Sequence, residues 1–163
     1  CVSAQRFQYD YLNDDITDDG KIDYSLTNKM PDGLRKAIAS GKKILVLINP
    51  PYAEATSLGN INDNEHAGDK TGVAKTKFAT TAMKKYRKAS NELFTQFVAR
   101  VAQEIPTATL AMFSKLKYVS SQTMDVFRDN WNAEYLGGFI VHSKVFDGLR
   151  GDFPIGFLVW STN

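Results

Sequence analysis

Ile44-Leu45-Val46-Leu47-Ile48 is an unbroken apolar run entered from Lys42-Lys43 and closed by Asn49-Pro50-Pro51-Tyr52. Five β-branched and aliphatic residues with no polar alternation mark a strand buried on both faces, the kind found in parallel sheets flanked by helices. The two prolines end it, because neither can donate to a ladder. Upstream, Leu34, Ala37 and Ile38 follow Pro31-Asp32 at helical spacing, and Ser40-Gly41 closes that short helix. Further back, Phe7–Leu12 alternates aromatic and polar residues as a short strand or strand end, and the aspartate-rich stretch to Asp23 reads as loop.

Downstream, Phe94, Phe97, Val98, Val101 and Ile105 recur at three and four residues, which predicts an amphipathic helix ending before Pro106. A strand follows over Thr109–Phe113. Ser120 or Ser121 caps a helix carrying Met124, Phe127 and Trp131, and Tyr135–Val141 and Ile155–Trp160 are two further strands joined as an antiparallel hairpin. Strand, helix, strand, helix, strand, strand is the order of an α/β layered sheet with right-handed crossovers. Four firm strands make half of a doubly wound sheet. That count, and a chain beginning at Cys1, lead to the expectation of one partial domain, 1–163, cut from a longer polypeptide.

The 163 residues are 43% hydrophobic and 23% charged, the balance of an ordinary globular domain. Cys1 is the single cysteine and can form no internal disulfide, so a cytoplasmic, reducing setting is expected. No run is apolar for the roughly 18 residues of a membrane span, and no signal peptide is recognisable, which excludes membrane functions at this level. The net charge is only +2, but it is unevenly placed: Asp10 to Asp23 holds six aspartates and one lysine, whereas Lys70 to Lys88 holds seven basic residues and no acid. Residues 53–90 read as an inserted flexible basic loop, far longer than the usual two to six residues of an α/β connection. Lys84, Lys85, Arg87 and Lys88 are its candidate contacts to a phosphate backbone, against the blander reading of a solvated helix face.

Asn49-Pro50-Pro51-Tyr52 carries the chemistry, because open α/β sheets place ligands at the carboxyl ends of their strands. The prolines hold the backbone so that the carbonyls of Asn49 and Pro50 point outward as acceptors, and the Asn49 side chain adds another. An aromatic amine is a poor nucleophile because its lone pair is delocalised into the ring. Oxygens accepting its hydrogens return electron density to nitrogen, and Tyr52 offers a face for a base to stack on. Asp15 to Asp23 imitates part of a calcium loop, but Leu26 stands where the bidentate glutamate belongs, so it reads as an acidic turn. His66 and His142 lack Cys, Asp or Glu at ligand spacing, and no metal is expected.

These residues resemble the amino-methyltransferase family, whose fourth motif is Asn or Asp, Pro, Pro, then Tyr, Phe or Trp after a strand. The likeness runs from Ile44 to Trp160, through Asn91-Glu92-Leu93-Phe94 to Phe97, Phe127-Arg128 and the closing hairpin. It implies a partial Rossmann-like methyltransferase sheet, mostly parallel with an antiparallel C-terminal hairpin. It also implies S-adenosylmethionine as cofactor, double-stranded DNA as partner, and methyl transfer to the N6 amine of a flipped adenine. Asn49, Pro50, Pro51 and Tyr52 take the catalytic positions. Phe146 in Val-Phe-Asp-Gly matches the aromatic that packs on the base's other face, with Phe153 the alternative. Asp10 resembles the aspartate that contacts the cofactor. The family's aromatic-x-Gly-x-Gly motif is absent, so the remainder of the parent polypeptide is an expected partner and the 163 residues alone are expected to be inactive. Two alternatives are a glutamine-amide methyltransferase acting on protein and a noncatalytic DNA-binding subunit.

Overall fold

A computed structural model describes residues 4–51, 76–147 and 151–162. Its first regular element is α1, Asp32–Ala39, with an acid in the first turn and Ile38 packed against the core. The helix ends in a Schellman turn: Gly41, at φ +63°, donates its N–H to Ile38, and Lys42 donates to Ala37, each at 3.0 Å. Only a residue tolerant of positive φ closes a helix this way without strain, which is why Ser40-Gly41 was a readable stop.

Among the described residues the sheet has four strands, β1 (Ile44–Ile48), β2 (Ala108–Lys115), β3 (Glu134–His142) and β4 (Pro154–Ser161), in the order β1-β2-β4-β3. β1 and β2 are parallel, whereas β4 is antiparallel to β2 on one side and to β3 on the other. The expectation of a mostly parallel sheet is therefore corrected: the architecture is mixed α/β with one parallel pairing. The cause is the last strand, which inserts between β2 and β3 and turns two neighbourly contacts antiparallel. The hairpin itself is as expected. It is tight enough at Gly138 that a Cβ there would lie 2.2 Å from the Phe157 carbonyl oxygen, so only glycine fits.

Between the strands lie α2 (Lys77–Thr80), a 3₁₀ segment over Lys84–Asn91 kinked at Arg87, α3 (Leu93–Glu104), α4 (Lys117–Ser120) and α5 (Asp125–Asn130). α3 stops before Pro106, as its spacing predicts, and Ser121 caps the short turn that leads into α5. The core sits between these helices and one face of the sheet. Val46, Leu110, Met112, Leu158 and Trp160 form the inward row, against Phe78, Met83, Phe94, Val98, Tyr118 and Phe127. The loop expected over 53–90 thus narrows, because Phe78, Met83 and Ala89 are buried core residues.

The opposite face carries Leu45, Leu47, Phe113, Phe157 and Phe139. Leu45 and Leu47 are 68% and 66% exposed, so the expectation that β1 is covered on both faces is corrected. An apolar run announces a strand, but which faces are covered depends on where the helices dock. Among the described residues no helix is long and apolar enough to cross a membrane.

Two N-terminal expectations also change. Phe7–Leu12 forms no strand but an irregular segment leading into turns. The acidic stretch is anchored rather than loose: Asp15 is 1% exposed and accepts from the Tyr9 hydroxyl and from the N–H and hydroxyl of Thr27, each at 2.9 Å. Its oxygens serve the turn, and among the described residues no cluster of three or more His, Cys, Asp or Glu could hold a metal.

Candidate functional site

β1, β2 and β3 run in one direction and β4 returns, so Asn49-Pro50-Pro51, Leu116-Lys117, Ser143–Phe146 and Phe153 share one end of the sheet. This is the carboxyl end of three strands, the end at which α/β sheets carry ligands. Asn49 and Pro51 are exposed and Pro50 is buried, so the proline pair is seated by its first ring. Tyr52 lies outside the described residues, as do His66 and the basic positions Lys70 and Lys75.

Ile48 is paired with Met112, which places Asn49 at the level of Phe113 on the neighbouring strand. Phe146 packs edge-on against that same Phe113, with ring centroids 5.4 Å apart at 77°. The structure thus brings Asn49 and Phe146 to a common residue, although 97 positions separate them in the chain. The short 3₁₀ turn Ser143–Val145 makes this possible. The Ser143 hydroxyl donates to the Gly151 carbonyl at 2.9 Å and the Ser143 N–H donates to the Phe153 carbonyl, also at 2.9 Å. Phe153 takes a different place, with the Lys115 ammonium 5.4 Å from its ring centre.

His142 closes the same loop. Its Nε2 pairs with Asp152, whose other oxygen accepts from Lys144 at 3.1 Å. Lys144, then His142, hold the Asp152 carboxyl below its ordinary value. Sequence spacing did not reveal this cluster, because a hairpin rather than a helix turn joins its members. It clips the loop that presents Phe146.

Asp10 is exposed, and its carboxylate accepts from the Leu12 N–H at 3.3 Å and the Asn13 amide at 2.9 Å. The side chain stabilises its own turn. Lys84, Lys85, Arg87 and Lys88 are all exposed on the 3₁₀ segment. Lys85 borders a hollow with Asn130, Asn132 and Thr162. Thr162 follows the end of β4, so Lys85 lies at the end of the sheet away from Asn49.

Sequence reasoning missed a polar cluster that is buried under the N-terminal segment. Arg100 and Glu104 on α3 are both buried and paired at 3.3 Å. Arg100 also donates to the carbonyls of Tyr11 and Asp14 and, at 2.8 Å, to the Tyr9 hydroxyl, while Tyr24 donates to Glu104 at 2.8 Å. Burial, opposed by Arg100, pushes the Tyr9 phenol well above its ordinary value. Glutamate four residues after arginine on a helix was the available signal, but it reads equally as a solvated pair. Compared with known proteins, the chain matches no family model, no curated protein and no solved structure.

Proposed function

We propose that this chain is the base-binding part of an S-adenosylmethionine-dependent adenine-N6 DNA methyltransferase acting in the cytoplasm. The observation that supports it best is the placement of Asn49-Pro50-Pro51 at the carboxyl end of β1, level with Phe113 on the neighbouring strand, against which Phe146 packs.

The chain's own part in the reaction follows from acceptor chemistry. The Asn49 side-chain oxygen and a backbone carbonyl of the proline pair accept the two hydrogens of the adenine amine. That draws the nitrogen toward a pyramidal geometry and localises its lone pair for attack. Phe146, and Tyr52 by resemblance, stack on the flipped ring and hold it in place. The cofactor's chemistry is to donate a methyl group. The described residues do not fit as its cradle, since Asp10 is engaged in its own turn.

The test is transfer of a radiolabelled methyl group from S-adenosylmethionine to adenine-containing DNA. It is run with the longest polypeptide that carries these residues, as wild type and as Asn49→Ala. The expected loss is about 10²-fold or more in kcat, by analogy with removal of one polar contact to a developing charge. Activity within a few-fold of wild type removes Asn49 from the chemistry. Transfer to a glutamine-containing protein in place of DNA reassigns the substrate.

A further inference from the structure

We propose that β1 is a self-complementary edge through which two copies of this chain pair antiparallel about Val46. β1 is the outermost strand, with no described strand on its far side. An uncovered edge strand presents a row of backbone donors and acceptors and is a template for another strand. Native edges are commonly blunted by charge, proline or a bulge within the strand, and Ile44–Ile48 contains none of these.

The identity of the second strand is argued from the sequence of the edge. Ile-Leu-Val-Leu-Ile reads the same in both directions, so a two-fold axis at Val46 sets Ile44 against the partner's Ile48 and Leu45 against the partner's Leu47. An isologous contact requires this reciprocity. The flanks agree with it, because in this register Lys43 meets the partner's Asn49 and Lys42 meets the partner's Pro50, so no lysine faces a lysine. The outer row, Leu45 and Leu47, is the part of the strand most exposed in the single chain. On the inner side the edge borders an apolar groove of about 510 Å³, lined by Phe7, Tyr9, Leu34, Ile38 and Phe97. It has room for the inward side chains of an added strand. Five paired residues are fewer than a standard interface of about 800 Å² per partner supplies, so the dissociation constant falls between about 1 µM and 1 mM.

The inference stands apart from the proposed activity. Sedimentation equilibrium of the 163-residue chain tests it through charge patterns at the two exposed positions. Wild type is expected to reach a weight-average mass of at least about one and a half times the monomer as its concentration rises to about 1 mM. Leu45→Lys/Leu47→Lys sets like charges opposite one another and stays monomeric, as does Leu45→Glu/Leu47→Glu, whereas an equimolar mixture of the two associates. Leu45→Lys/Leu47→Glu sets lysine against glutamate in the antiparallel register only, and it self-associates. Circular dichroism confirms that each variant is folded. A wild type that stays monomeric overturns the proposal. So does association that survives the double lysine change, or loss of association in the lysine–glutamate variant.

Discussion

Two polar regions of this molecule are built on opposite terms. Around Arg100, every charge on the face of α3 is buried and answered: guanidinium by Glu104, two carbonyls and a tyrosine hydroxyl, and Glu104 in turn by Tyr24. At the carboxyl end of β1, Asn49 stands exposed on a backbone fixed by Pro50 and Pro51. The first region ties residues 9–27 to the core, and its hydrogen-bonding capacity is directed inward. The second lies at the carboxyl end of three strands. The contrast separates polar residues buried in the fold from polar residues at its surface. It also explains why a buried cluster of perturbed groups does not by itself mark an active site.

The contrast is sharpest in stability. Arg100→Met leaves Glu104 buried without its cation and is expected to lower unfolding free energy by about 3–5 kcal/mol. Asn49→Ala, at an exposed position, should cost no more than about 1 kcal/mol, the usual size of a neutral hydrogen bond. Urea denaturation of both variants checks this, and an Asn49→Ala loss as large as that of Arg100→Met erases the distinction.

At the exposed end, the aromatic that shares Phe113 with Asn49 is expected to hold the base. Phe146→Ala should weaken binding of DNA containing extrahelical 2-aminopurine by roughly 1–3 kcal/mol, with Phe153→Ala nearly silent. Fluorescence titration reports the difference directly, and the reverse ranking gives the role to Phe153.

A smaller effect belongs to the buried end. Burial first, and then the Glu104 carboxylate, push the Tyr24 phenol well above its ordinary value near 10. The folded state thus keeps a proton that the unfolded chain releases. Its contribution is fully present below about pH 10 and is lost as the pH rises from there through the raised value. Tyr24→Phe should cost about 1 kcal/mol at neutral pH and flatten the alkaline fall in stability. An unchanged slope in denaturation curves taken between neutral and alkaline pH means that Tyr24 is not part of the linkage.

Taken alone, the sequence determined several of the elements and their ends. Ile44–Ile48, α3 before Pro106, the closing hairpin and the Gly41 stop were legible because apolar periodicity, proline and positive-φ glycine act over a few residues. It also placed Asn49-Pro50-Pro51 directly after a strand. The tertiary structure decided what depends on distant pairing. Insertion of β4 between β2 and β3 made the sheet mixed, docking of the helices on one face left Leu45 and Leu47 exposed, and the N-terminal segment buried Arg100. The meeting of Phe146 with Phe113 beside Asn49 belongs to the same class. A local pattern fixes what a segment can become, but the partner that covers it is chosen by contacts far along the chain.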